Sequence, residues 1–156
     1  LAAVNPLEDE SDEVPRLIMD LATSLAQHEH AVLKVVHAWE LPGESILANG
    51  RGRIPRKELD EMLENRKSRH RKALDTLLSR YDLDSEADNI HLIKGRPTQI
   101  ISTCISEWNI DLIVMGTLGR FGVPGLFIGN TAEDVLRKTQ AAALAVKPPG
   151  FVTPVK

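Results

Sequence analysis

The chain has few of the features that mark secreted, membrane or nucleic-acid-binding proteins. A single cysteine, Cys104, excludes a disulfide within the chain, and its apolar surroundings predict a small buried side chain in a reducing compartment. No apolar run approaches the roughly 18 residues of a membrane span, and the start of the chain lacks a basic-then-apolar signal peptide. The formal net charge of -3 argues against general nucleic-acid binding. We therefore expect a cytoplasmic protein that binds neither membranes nor nucleic acids.

The length and composition are those of one ordinary globular domain. The sequence has 156 residues, with 42% hydrophobic and 26% charged residues, which is enough for a core without disulfides or metals. It begins at Leu1 rather than at methionine, which indicates either that processing removed residues or that the chain is one part of a longer protein.

Strand-like apolar runs alternate with amphipathic helical patterns along the whole chain. Strands are predicted over residues 1–4, 31–39, 89–95, 111–116 and 141–149, and helices over residues 14–26, 56–81, 96–109 and 131–139. Residues 40–55 contain several glycines and prolines and are predicted to be a loop. The alternation predicts an α/β fold, a doubly wound parallel sheet with right-handed crossovers and helices on both faces.

A glycine-rich segment follows the predicted fourth strand. It reads GTLGRFGVPGLFIGNTAED from Gly116 to Asp134. In doubly wound sheets, ligands bind beyond the carboxyl ends of the strands, so this segment lies at the predicted binding crevice.

The helix after this segment has the composition of an anion-binding N-terminus. With Asn130 as the N-cap, Glu133 takes the third helical position, close to a capping box. The first-turn amides and the helix dipole favour a phosphate group, and Arg120 would add a charged donor. Two interpretations stay open at this point: phosphate binding, or a capped helix with glycines that only form turns.

The remaining polar groups of the sequence indicate neither a catalytic site nor a metal site. The run RKSRHRK, from Arg66 to Lys72, is interpreted as a solvated helix face, and His28 and His30 lack the further ligands of a metal site. His37, at the end of a core strand, is predicted to be a hydrogen-bonded histidine of the crevice, because no partner for general-base catalysis is evident. No catalytic residue and no metal site are predicted.

The spacing Gly116-x2-Gly119-x9-Gly129 resembles the signature of the universal stress protein family. The stretches GRPTQIISTCISEWNIDLIVMGT and VVHAW are also similar to that family. The resemblance covers the whole chain and implies one domain over residues 1–156, with strand order 3-2-1-4-5 and a role in bacterial stress adaptation.

The resemblance also bears on partners. It implies a homodimer, or pairing with a sister domain, through the last strand with Leu144 and Val146. The start of the chain and the GNTAE junction resemble the C-terminal half of a tandem member, with residues 148–156 as a tail.

Some members of this family bind ATP between the first and fourth strands. Asn5 stands where ATP binders usually have aspartate, and Ala38 stands at an adenine-contacting position. The remaining implied nucleotide contacts are Met115 and Gly116 for the base and ribose, and Gly119, Arg120, Gly129, Asn130 and Thr131 for the phosphates.

Two departures from the family pattern weaken this implied site. Asn130 replaces a serine or threonine hydroxyl, and Asn5 lacks the carboxylate, next to Pro6, which has no amide hydrogen. Each loss costs about 1–2 kcal/mol of binding free energy. We therefore expect a non-enzymatic regulatory module that binds ATP weakly or not at all. The alternative is an adenine-nucleotide-binding stress protein that uses ATP with magnesium.

The glycine-rich segment also carries large apolar side chains. Phe121, Val123, Leu126 and Phe127 either pack as a local core or form a surface for an apolar ligand or partner.

Overall fold

The structure is a computed structural model and describes residues 1–7, 13–51, 53–84, 86–117 and 128–147. Within these residues, five strands and five α-helices alternate, except that two helices follow the second strand, and a 3₁₀ turn (Ser79–Tyr81) extends the longest helix. In chain order the elements are β1 (Ala2–Ala3), α1 (Glu13–His28), β2 (Val35–Trp39), α2 (Glu44–Asn49), α3 (Arg56–Leu78), β3 (Ile90–Lys94), α4 (Pro97–Glu107), β4 (Leu112–Gly116), α5 (Asn130–Lys138) and β5 (Ala142–Val146).

All strands form one parallel sheet with the order β3-β2-β1-β4-β5. The short β1 lies in the centre, where Ala2 pairs with Val35 of β2 on one side and with Val114 of β4 on the other. This arrangement confirms both the predicted fold class and the strand order. It also places the carboxyl ends of β1 and β4 side by side.

The sheet is covered on both faces, which explains the continuous apolar runs in its inner strands. One core cluster packs α1 and α3 against Val35 and Val114. The other packs α4 and α5 against Val36 and Ile113. Cys104 lies in the second cluster, as predicted, and burial raises the pKa of its thiol to about 11.

Two predicted boundaries were wrong. Residues 40–55 are not a continuous loop, because α2 begins after Gly43, which has a φ of 76°. None of the residues of α2 is buried, so the apolar periodicity that would have indicated a helix is missing. The predicted strand from residue 31 begins only at Val35, opposite Ile90 of β3, and Val32 is 81% exposed.

The predicted solvated face of α3 holds for most of residues 66–72 but not for His70. His70 is buried, whereas Lys67 and Arg69 are exposed. It precedes the buried Leu74 by one helical turn and therefore belongs to the apolar stripe of α3. Among the helices of the described residues, none is both long and apolar enough to cross a membrane.

Candidate functional site

A cavity of about 180 Å³ opens at the carboxyl ends of β1 and β4. The structure places these predicted ligand residues around it: Asn5, Ala38, Met115, Gly116, Gly129, Asn130 and Thr131. The predicted phosphate residues Gly119 and Arg120 lie outside the described residues. The same holds for the predicted apolar surface residues Phe121, Val123, Leu126 and Phe127.

The wall of the cavity includes residues that the sequence reasoning missed. Ile18 of α1, Pro97 and Ile101 of α4, and Thr117 all contribute. Ile18 and Ile101 are buried helix residues, and helical periodicity alone does not indicate which buried residues line a cavity. Within the described part of the chain, no lining residue carries a charged side chain.

Thr117 and Gly129 hold together the two ends of the glycine-rich segment. The amide of Gly129 donates to the carbonyl of Thr117 at 2.5 Å. Thr117 in turn donates to the carbonyl of Val146 through its amide at 3.0 Å and through its hydroxyl at 3.2 Å. The start of α5 is thereby fixed next to the carboxyl end of β4.

The capping arrangement predicted for α5 was wrong by one residue. Gly129 is the N-cap, with φ -74° and ψ 154°, and no side chain caps the helix. Asn130 is therefore the first helical residue, and Glu133 pairs with Arg137 at 2.7 Å instead of closing a capping box. Because a helix leaves its first amides without intrahelical acceptors, the first turn of α5 presents backbone donors to the cavity.

Asn5 is engaged in local structure at the end of β1. The amide of Leu7 donates to Oδ1 of Asn5 at 3.4 Å, which closes a turn around Pro6. The side-chain oxygen of Asn5 therefore helps to shape the chain as it leaves the sheet.

His37 is buried and hydrogen-bonded through both ring nitrogens, but it is not among the lining residues. Nδ1 lies 3.0 Å from the carbonyl oxygen of Val4, and Nε2 lies 2.7 Å from Nδ1 of His70. Burial, and next the charge of His70, lower the pKa of His37 to about 4. His37 is therefore neutral at physiological pH.

Over the residues that the structure describes, no group of three or more histidine, cysteine, aspartate or glutamate side chains could hold a metal ion. His28 instead lies 3.9 Å from Glu29 on the surface.

The sequence has clear relatives. Residues 8–147 match the sequence model of the Universal stress protein family. The chain is 36% identical over 90 residues to universal stress protein E of Photorhabdus laumondii, an alignment that covers 58% of this chain and 28% of that protein. It is 33% identical over 147 residues to universal stress protein A homolog 1 of Coxiella burnetii, which covers 94% of this chain and 93% of that protein.

Solved structures share the fold. A functionally unknown protein from Pseudomonas aeruginosa PAO1 superposes with a TM-score of 0.71 at 26% identity, over 94% of this chain and 46% of that chain. A universal stress protein in complex with cAMP superposes with a TM-score of 0.54 at 18% identity, over 94% of each chain. The chain thus spans less than half of the Pseudomonas chain and of the Photorhabdus protein. The family match over residues 8–147 and the full-length similarity to the Coxiella protein show that the chain belongs to the universal stress protein family.

Proposed function

We propose that this chain is a non-enzymatic regulatory module whose cavity at β1 and β4 binds an adenine nucleotide weakly. The observation that carries the proposal is the set of seven lining residues at the predicted nucleotide positions, with amides at positions 5 and 130. The fold relative that is a complex with cAMP supports this ligand class.

The polarity of the cavity explains why binding would be weak. Its described side chains include no charge, so a phosphate would be held by the first-turn amides of α5 and by the side chains of Asn130 and Thr131. Backbone donors are effective for anions but supply less energy than donors that carry a charge. The volume of about 180 Å³ is also below the roughly 300–1,000 Å³ of pockets that enclose a ligand.

The same composition favours binding over catalysis. The described lining side chains are apolar, amide or hydroxyl groups, and none has a pKa suited to general acid or base catalysis near neutral pH. We therefore propose that occupancy of the cavity, rather than turnover, carries the signal.

Calorimetric titration with ATP and magnesium tests this proposal. Wild-type protein should bind at high micromolar to millimolar concentration. Asn130→Ser restores a hydroxyl and Asn5→Asp a carboxylate, and together they should tighten binding by roughly tenfold to several hundredfold, since each interaction is worth about 1–2 kcal/mol.

Asn49 provides matched controls, because it is exposed on α2 and does not line this cavity. Asn49→Ser and Asn49→Asp should leave the affinity unchanged. Submicromolar binding by the wild type, or no gain in the double variant, would contradict the proposal.

A second proposed function is pairing through β5, the edge strand next to β4. The side chains of Ala142, Ala143 and Ala145 are exposed and uncharged, whereas the opposite edge strand, β3, carries the exposed Lys94. Charged side chains protect an edge strand from pairing, and their absence exposes the backbone of β5 to a partner strand. We infer that the partner is a second copy of this domain or a sister domain.

The side chains first assigned to this contact need correction. Val146 is buried and Leu144 packs against the core cluster that contains α1 and α3. Pairing would therefore use the backbone of β5 and the exposed alanines, while Leu144 and Val146 stabilise the domain itself.

A further inference from the structure

His37 and His70 form a buried contact that the proposed ligand site does not use. The side chains are 1% and 6% exposed, on β2 and α3 respectively. Nε2 of His37 lies 2.7 Å from Nδ1 of His70, and the ring centroids are 4.9 Å apart. The contact therefore links the middle of α3 to β2 through a hydrogen bond between two side chains.

The chemistry of the contact fixes the position of its hydrogens at neutral pH. The carbonyl of Val4 can only accept, so Nδ1 of His37, at 3.0 Å from it, carries a hydrogen and donates. A neutral His37 then has an acceptor at Nε2. Nδ1 of His70 consequently donates, and the hydrogen bonds run from His70 to His37 to Val4.

Protonation breaks this arrangement in two steps. The first proton enters the other ring nitrogen of His70 and keeps the contact, because Nδ1 of His70 still donates to Nε2 of His37. A second proton makes both rings cationic at 2.7 Å, with two donors facing one another. Acid therefore removes the hydrogen bond and replaces it with repulsion.

Other charges near the pair are engaged elsewhere. Arg66, one turn earlier on α3, donates through Nε to the carbonyl of Glu40 at 2.7 Å, and Lys94 of β3 pairs with Glu44 at 2.6 Å. The β3 residue in register with His37 is the uncharged Leu92.

Three further cationic side chains of α3 are either paired or exposed. On α3, Arg71 pairs with Glu86 at 3.5 Å, while Lys67 and Arg69 are exposed. The acidic side chains at positions 8, 9, 10 and 12, which precede α1, lie outside the described residues.

We propose that the His37–His70 pair is a proton-sensitive latch that holds α3 against the carboxyl end of β1 and opens in acid. Val4 precedes Asn5 and His37 precedes Ala38, and both following residues line the cavity. Opening the latch would therefore displace two residues that line the cavity, Asn5 and Ala38. The lowered pKa of His37 agrees with a latch that is closed at neutral pH.

Trp39 reports on the latch directly, because its ring lies 5.9 Å from that of His70. The chain has two tryptophans, so Trp108→Phe leaves Trp39 as the only one. In this background we expect the Trp39 emission to change as pH falls from 7.5 to 3.5, with a midpoint well below the ordinary histidine value of roughly 6.5.

The double variant His37→Asn/His70→Asn should abolish this transition, since asparagine offers an amide donor that does not titrate. His28→Asn, at an exposed histidine of α1, is the matched control and should leave the transition unchanged. A transition that persists in the double variant would overturn the proposal.

Nuclear magnetic resonance of histidine-labelled wild-type protein keeps the test decisive even if the double variant does not fold. The ring signals of His37 should change at a midpoint well below the ordinary histidine value of roughly 6.5, and the amide signals of Asn5 and Ala38 should follow the same midpoint. Independent titration of the two rings near pH 6.5, or unmoved signals of Asn5 and Ala38, would contradict the latch. Neither readout depends on nucleotide binding, so the latch and the proposed function can fail separately.

Discussion

Gly116 lies so close to α1 that a Cβ atom on it would stand 3.2 Å from Cγ1 of Val14. The next nearest atom, Cδ1 of Ile18, would be 3.7 Å away. The first contact is tighter than ordinary van der Waals packing, so a Cβ atom at position 116 would force Val14 to shift by a few tenths of an ångström. Helix packing thus favours glycine at this first position of the Gly-x2-Gly-x9-Gly pattern, independently of the ligand that the cavity holds.

We predict that Gly116→Ala lowers the free energy of unfolding by about 1–3 kcal/mol, the usual cost of overpacking a core. Val14→Ala removes the opposing methyl groups and should relieve this strain, so the two changes should be coupled by about 0.5–3 kcal/mol in a double-mutant cycle. Urea denaturation of the wild type, both single variants and the double variant measures this coupling. Additive losses would show that Gly116 is required for another reason.

Periodicity predicted the architecture because every inner strand and most helices bury an apolar face. The apolar pattern in the sequence matches the buried residues directly in β2, β4 and α1. The exposed α2 buries no residue, so its sequence contained no such signal. The strand order came from the family resemblance, since strand patterns do not specify which strands are neighbours.

The sequence predicted the site residues that lie at the ends of strands, but not contacts between residues that are far apart in the chain. The family resemblance implied Asn5 and Met115, and both line a cavity at the carboxyl ends of neighbouring parallel strands, where such sheets bind ligands. The contact between His37 and His70 was missed, because it joins residues 33 positions apart and the charged neighbours of His70 concealed its apolar stripe. A helical wheel of α3, with His70 one turn before Leu74, contained the missing signal.

Tyr81 ties the end of α3 to α1. Its hydroxyl lies 2.7 Å from Oδ1 of Asp20 and 3.0 Å from the carbonyl of Arg16. Burial, followed by the hydrogen bond and the negative charge of Asp20, raises the pKa of Tyr81 above its ordinary value of about 10. Tyr81→Phe should therefore cost about 1 kcal/mol of stability.

The tyrosinate absorbance measures this environment without interference, since the chain has one tyrosine. We expect the wild-type midpoint to lie above 10, and Asp20→Asn to lower it by removing the charge while leaving a hydrogen-bond acceptor. Circular dichroism at each pH confirms that the protein is folded. Equal midpoints in the two proteins would show that Asp20 does not act on Tyr81.

The pKa of His37 predicts a loss of stability in acid. Its folded value of about 4 lies below the unfolded value of about 6.5. Between these two values the unfolded chain binds a proton that the folded protein does not, so stability falls as pH decreases through this window. The full effect amounts to about 3 kcal/mol at 1.36 kcal/mol per pKa unit.

Urea denaturation of the wild type and of His37→Asn at several pH values between 7 and 4 measures the contribution of His37 to the pH dependence of stability. The variant should be less stable than wild type at pH 7, where it loses the contact to His70, and its stability should decline less steeply in acid. Parallel pH profiles of the two proteins would contradict the assignment to His37.

Substitutions at the exposed and the buried positions of β5 should affect association and folding separately. If the domain pairs through this edge, Ala143→Lys with Ala145→Lys places charges on exposed positions and should convert dimers to monomers with little change in thermal stability. Val146→Lys instead places a charge in the core at a residue that is 4% exposed, and should lower the free energy of unfolding by several kcal/mol. Analytical ultracentrifugation and thermal denaturation of both variants distinguish the two effects. The introduced lysines should repel a partner strand at this edge. An unchanged dimer in the double lysine variant would therefore show that association uses another surface.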